Sequence, residues 1–508
     1  MVVDGTLHTA GIGLLGLTLS VGAEGLLRPR PKLQRPVQAW VVHIALWGIV
    51  YTALVLLSGR VWCSMTGAFA VIMMLVLVSN AKYKSLREPF LFQDYDYFLD
   101  AVRYPRLFLP FLGVKGFLGA AAFFVLALTG LWLERPLHFE WHGQLCLAAL
   151  LIAVLLLLWG LRRHDWHLTF EPTTDLRRLG LLAFLWAYGM TQTQPPKAVS
   201  PFAARSKPER LDTLPHLVAI QSESFFDVRD LYAGIRPDVL THFDALKARS
   251  ALHGELTVPA WGANTVRTEF AFLTGISAKQ MEGHAFNPYR PVIGGWSVYS
   301  LPRFLQSLGY RTICVHPHNG GFYGRDKALP LLGFDSFIDI RAFTHARREG
   351  AYVADAALGE YIGQMLQMAD RPTFIFAITM ENHGPLHLEQ PHPGNSERFY
   401  HSPPPEGCEE LTVYLRHLYN ADAMFGRLAE EMNILQQPSS LCIYGDHVPI
   451  MPQAYSILHS PSGTVPYICW HNYRAQRLFL TDVHNNEQPL TAHKMGRAWL
   501  DSIQLGTV

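Results

Sequence analysis

Apolar runs of bilayer length recur through the first 190 or so residues, and they constrain this chain before anything else does. A helix needs about 20 apolar residues to cross the hydrocarbon core of a bilayer. Five stretches meet that need: 7–27, 38–57, 61–79, 107–133 and 144–161. A sixth and weaker stretch, 179–194, is uncharged and is opened by Arg177 and Arg178. The first stretch does not read as a cleavable signal, because it lacks a basic leader and other spans follow it. The segment 87–110 mixes aromatic residues with both charge signs and reads as an interfacial helix at the headgroups. The predicted organisation is a transmembrane domain of five or six spans over 1–194, a linker over 195–213 that opens proline-rich (PPKAVSPFAARSKP), and a soluble domain over 214–508.

Orientation is read from Lys and Arg in the short loops. Arg28, Arg30, Lys32 and Arg35 follow the first span. Lys82, Lys84, Arg87, Arg103 and Arg106 follow the third. The loops after the second and fourth spans carry almost no positive charge. The rule therefore puts the first and third loops in the cytoplasm and the N-terminus outside. Five spans then leave the soluble domain inside, whereas six carry it to the periplasm or cell exterior. The expectation is six, with a multi-pass protein in the cell membrane and its soluble domain facing outward.

A formal net charge of +1 gives no bulk argument for nucleic-acid binding. The six cysteines, Cys63, Cys146, Cys314, Cys408, Cys442 and Cys469, show no metal-knuckle or CxxC spacing. Most read as core residues, with a disulfide through Cys408 left open.

From residue 214 onward, short β-branched runs alternate with helical stretches. HLVAIQSES, RTICVHPHN, PTFIFAITMENH and SLCIYGDH are apolar runs that each break into polar residues. Continuous apolar strands alternating with helices predict a mainly parallel sheet covered by helices. Ligands in such sheets collect at the carboxyl ends of the strands. The four runs end at Glu223, at His316 and His318, at Glu381, Asn382 and His383, and at Asp446 and His447. Carboxylates gathered with imidazoles suit a divalent ion such as Mn²⁺, Zn²⁺ or Mg²⁺.

A nucleophile is sought in PAWGANTVRTEFAFLTGIS, residues 259–277. Gly262 and Asn264 form a turn, and TVRTEFAFLTG predicts a helix with Val266, Phe270 and Leu273 on one face. Thr265 would stand at its start, where free N–H groups and the helix dipole favour an oxyanion. A plain capping role for Thr265, and Thr268 as a rival nucleophile, both stay open.

ESFFDVR, NTVRTEFAFLTG, HPHNGGFYGRD, ENHGP and YGDH, in this order and spacing, resemble the lipoteichoic acid synthase family. These are membrane phosphoglycerol transferases with a sulfatase-like, alkaline-phosphatase-type extracytoplasmic domain. The resemblance covers roughly residues 214–450. It implies Glu223, Thr265, Asp446 and His447 as ligands of one metal ion, typically Mn²⁺, with Mg²⁺ or Zn²⁺ as alternatives. Thr265 would also be the nucleophile. It further implies His316, His318, Tyr323, Arg325 and His383 as headgroup-binding residues. Tyr323 stands where the family usually has tryptophan, and His318 where an acid or amide is common. The implied reaction moves glycerol phosphate from a phosphatidylglycerol-type lipid to a surface glycan or polymer. Phosphoethanolamine transfer and phosphodiester hydrolysis are the rival activities, and a non-enzymatic receptor or transporter is the last alternative.

Overall fold

The structure is a computed structural model. It describes residues 2–97, 141–206, 213–479 and 487–506, with scattered positions between 103 and 137. The chain forms two compact units, Met1–Gln194 and Pro195–Val508.

In the first unit, α1 (Val2–Glu24), α2 (Val37–Ser58), α3 (Val61–Leu86) and α4 (Trp141–Leu161) are long apolar helices. Among the described residues, α2, α3 and α4 are long and apolar enough to cross a membrane. The 23 residues of α1 reach bilayer length as well, at 1.5 Å per residue. Most of the fourth predicted span, and half of the predicted interfacial helix, lie outside the described residues; within the latter, Phe92–Tyr97 forms a 3₁₀ turn. The sixth predicted stretch is split by Gly180. The eight-residue α5 (Pro172–Leu179) precedes it and α6 (Leu181–Thr191) follows. With 11 residues, α6 is about half the length a crossing requires. Gly180 has φ 76°, and a side chain there would collide with the Arg35 guanidinium.

A buried ionic group holds this end of the first unit. Arg35 Nη1 lies 2.5 Å from Glu24 Oε2, and His43 Nδ1 lies 3.3 Å from Glu24 Oε1. The Leu181 N–H donates to Glu24 Oε1 at 2.7 Å, so the start of α6 is pinned to the end of α1.

The second unit is built on an eight-stranded sheet. Its strands are β1 (His216–Ser222), β2 (Leu252–Thr257), β3 (Arg311–Val315), β4 (Ser336–Ile338), β7 (Thr373–Ile378), β8 (Ser439–Gly445), β9 (Val465–His471) and β10 (Leu490–Thr491), with β5 (Arg348–Glu349) and β6 (Tyr352–Val353) forming a separate hairpin. The order is β10-β2-β9-β8-β1-β7-β3-β4. The four strands that the sequence singles out are the adjacent run β8-β1-β7-β3, all parallel. Their apolar residues are buried throughout because helices cover both sides. Phe272 of α7 (Thr265–Thr274) packs on Phe376 and Tyr444, beside Trp499 of α11 (Ala492–Ser502). α8 (Leu301–Ser307) packs beside β3, and α9 (Asp355–Gln367) and α10 (Glu409–Ile434) pack on each other and complete the core. The six cysteines form no disulfide, and five of them, Cys408 included, are buried.

Candidate active site

Register brings the first acids together. Ser222 pairs with Gly445 across β1 and β8, so the next residues, Glu223 and Asp446, leave the sheet side by side. Gly445 is required there: a Cβ would run into the carbonyl of Phe225, where the chain folds over the end of β8. Ser224 N donates to Asp446 Oδ1 at 2.8 Å, and Ser224 Oγ donates to Glu223 Oε1 at 2.9 Å.

Glu223, Asp446 and His447 are buried, and each offers a ligand atom within 4.8 Å of the others. Asp446 Oδ2 and His447 Nε2 stand 3.3 Å apart, and neither has a hydrogen-bond partner. Burying such groups without partners is costly, and a divalent cation between them removes that cost. The residues therefore fit a metal ion. Burial first, and the Asp446 charge second, push the Glu223 carboxyl up to about 8, against the pull of His447.

Thr265 is the first residue of α7, not its cap. The cap position belongs to Asn264, held at φ 65° and making no side-chain cap bond. The Thr265 hydroxyl donates to Glu223 Oε2 at 3.5 Å. Thr268 is committed elsewhere: its hydroxyl donates to the Asp446 carbonyl at 2.8 Å, which steadies the end of β8.

The segment after β3 supplies the rest. His316 Nδ1–H donates to the Ile378 carbonyl at 3.2 Å, and its Nε2 lies 3.4 Å from Arg325 Nη1. Burial, then Arg325, then His318 drive His316 well below its ordinary value, so it is neutral. Burial and the neighbouring His383 bring His318 down to about 3. Tyr323 sits at φ 60° with its ring 5.3 Å from the Arg325 guanidinium. His383 Nδ1–H donates to the Gly384 carbonyl at 2.7 Å, and burial lowers its pKa as well.

Arg325 does not present an open fork. Its Nε and Nη2 are spent on Glu269, at 3.2 and 2.9 Å, and both side chains are buried. Tyr289 also donates to Glu269. The sequence reading missed Glu269. Its signal was present: a charged residue four positions after Thr265 shares that residue's helix face.

Glu381 is committed to partners other than the candidate metal ligands. It accepts from Asp355 N at 2.7 Å, Asn420 Nδ2 at 2.6 Å and His417 Nδ1 at 3.1 Å. The expectation that all four strand endings serve one centre thus fails for this acid. It anchors α9 and α10 instead.

The model of the sulfatase family matches residues 215–505, more than half of the chain. The capsular polysaccharide biosynthesis protein RkpI of Rhizobium meliloti is 26% identical over 454 residues, 84% of this chain and 79% of that protein. The lipooligosaccharide phosphoethanolamine transferase EptA of Neisseria meningitidis, an integral membrane protein, superposes with TM-score 0.56 at 14% identity, over 97% of this chain and 95% of that one. The Streptococcus pyogenes phosphoglycerol transferase GacH, in complex with sn-glycerol-1-phosphate, aligns with TM-score 0.49 at 20% identity, over 59% and 78%. The family model covers more than half of the chain, and the chain belongs to the sulfatase family.

Proposed function

We propose a membrane-bound, metal-dependent phosphoglycerol transferase. It moves glycerol phosphate from a phosphatidylglycerol-type lipid to a surface glycan or polymer, with its catalytic unit facing the periplasm or cell exterior. The observation that carries this reading is the Thr265 hydroxyl at the head of α7, beside the buried Glu223, Asp446 and His447. Those three residues and the Thr265 oxygen would hold one divalent ion. Mn²⁺ suits the donor set, with Mg²⁺ or Zn²⁺ as alternatives. When bound, such an ion lowers the pKa of the hydroxyl and neutralises phosphate charge.

Thr265 Oγ1 bonds to phosphorus as the bond from phosphorus to the diacylglycerol oxygen breaks. His316 already uses both ring nitrogens, which leaves His383 for proton transfer. With its Nδ1–H held on Gly384, neutral His383 takes the Thr265 proton on Nε2 and passes it to the leaving diacylglycerol oxygen in the first step, then passes the acceptor hydroxyl's proton to the Thr265 oxygen in the second. That hydroxyl attacks the phospho-threonine and frees Thr265. Arg325, fixed by Glu269, offers Nη1 to the phosphate oxygens.

The full-length fold likeness to a phosphoethanolamine transferase favours a second reading, transfer of phosphoethanolamine by the same residues. The test is an assay of purified protein with phosphatidylglycerol and phosphatidylethanolamine, each labelled in the headgroup. Label moving from phosphatidylglycerol to a glycan supports the first reading. Label moving only from phosphatidylethanolamine supports the second, and release to water alone indicates a phosphodiesterase. No release in wild type, or release unchanged in Thr265→Ala, refutes the mechanism.

A further inference from the structure

Hydrogen bonds sort the connections of the first unit into two ends. At one, Arg28 N donates to Asn80 Oδ1 at 2.7 Å and Lys32 N donates to the Arg177 carbonyl at 2.8 Å. This gathers the end of α1, the end of α3 and α5. At the other, Arg60 Nε donates to the Glu134 carbonyl at 2.8 Å and Leu137 N to the Gly59 carbonyl at 2.7 Å. α4 begins four residues after Leu137 and runs back to the first end. α6 starts there on Glu24, and its Tyr188 carbonyl accepts from Gln93 at 3.4 Å in the turn that follows α3. α6 therefore stays at that end, and the chain leaves the unit there after Gln194.

That end is basic. Arg28, Arg30, Lys32, Lys84, Arg162 and Arg177 are all exposed, while the ion pairs nearby use Arg35, Lys82 and Arg178 instead. Arg162 lies 4.4 Å from the ring of the exposed Trp159, a pairing typical of the headgroup level. Counting α1, α2, α3, the fourth apolar run and α4 as five crossings, an outward catalytic unit puts this basic end outside. The N-terminus is then inside, the reverse of the charge-rule reading. Cations held on that face against the usual bias need a use.

We propose that this basic end binds the anionic phosphodiester headgroups of outer-leaflet phospholipid, and so concentrates lipid of the donor's charge class where the chain passes to the catalytic unit. The guanidinium fork matches a phosphate anion, and clustered cations at the interface attract anionic lipid. The proposal rests on the outward orientation given above.

The test uses the full-length protein in detergent, titrated with short-chain phosphatidylglycerol or phosphatidylcholine, with bound lipid counted by native mass spectrometry. Replacing Arg28, Arg30, Lys32 and Arg177 together by Gln should weaken phosphatidylglycerol binding about tenfold and flatten its salt dependence, leaving phosphatidylcholine unchanged. Exchanging the same positions between Arg and Lys should keep most of the binding. Unchanged binding in the Gln protein, or equal loss for both lipids, overturns the proposal. Orientation is read separately. Arg30→Cys, in a Cys146→Ser background, should react with an impermeant maleimide on intact cells, alongside an outward reporter fused after Ser200. A protected Arg30→Cys with an outward reporter overturns the basic lipid site alone. An inward reporter overturns the outward reading beneath it.

Discussion

The two units each bury a glutamate, an arginine and a histidine together, and put them to different use. In the membrane unit, Glu24 takes Arg35, His43 and the backbone N–H of Leu181, so the group ties the end of α1 to α2, to the loop between them and to α6. In the catalytic unit, Glu269 takes two nitrogens of Arg325, and the third approaches His316 at the end of β3. The chemistry of the groups is nearly the same. What differs is their address: one closes a helix bundle, the other lies under strand ends, one helical turn from a candidate nucleophile. A buried charged triad alone is therefore architecture, and only its placement beside reactive atoms turns it toward catalysis.

The largest expected effect tests that placement. Thr265→Ala should reduce transfer by roughly 10⁴-fold or more, because the covalent step loses its attacking oxygen. Stability should fall by no more than about 1 kcal/mol, since Asn264 and not Thr265 holds the cap position. Thr265→Ser should recover part of the rate. Substantial turnover in Thr265→Ala, measured with labelled lipid, removes Thr265 from the mechanism. Asp446→Asn and Glu223→Gln should abolish bound metal as well as turnover; full metal occupancy in both, by elemental analysis, removes the assigned ligand set.

The two triads can then be set directly against each other. Arg325→Ala and Arg35→Ala each strand a buried glutamate and should cost about 3–5 kcal/mol of stability. Replacing both partners of a pair by apolar residues of similar size should restore much of that stability. The pairs diverge in function: Glu24→Leu with Arg35→Met should keep transfer, while Glu269→Leu with Arg325→Met should fold and lose it. Melting in detergent and the lipid assay read the two quantities separately. Equal activity in both double variants would erase the distinction.

What the sequence made legible follows the same division. The strands β1, β3, β7 and β8 show as apolar runs because both their faces are covered, and their polar endings point to Glu223, Asp446, His447 and His316. Glu269 escaped because its helix reads as apolar on Phe270, Leu273 and Val266, and its meaning depends on an arginine 56 residues later. Glu381 was misdirected because its partner His417 lies on a distant helix. Orientation read from loop charge depends on the number of crossings, and two of the cations it counts, Arg35 and Lys82, are bound by Glu24, Glu88 and Asp94. The rule also needs the length of α6, and an apolar stretch of 16 residues does not disclose a helix of 11.

The smallest effect concerns a third buried histidine, this one between two acids. His417 Nδ1 lies 3.1 Å from Glu381 and its Nε2 3.1 Å from Glu389. Burial opposes its charge, but hydrogen bonds to Glu381 and Glu389 outweigh that and hold its pKa up to about 9. A folded-state pKa above the unfolded value of about 6.5 means that the charged form is stabilised by folding. That contribution is full below about pH 6.5 and is lost as the pH rises through 9. Its size is at most about 3 kcal/mol. The catalytic unit should therefore lose stability between pH 6.5 and 9.5 with no change in the protonation of its arginines. In His417→Gln the starting stability should be lower, and the loss across this window should shrink. Melting curves of both proteins from pH 6 to 10 provide the measurement. Parallel pH profiles would show that the Glu381–His417–Glu389 bridge is not held as a charged pair.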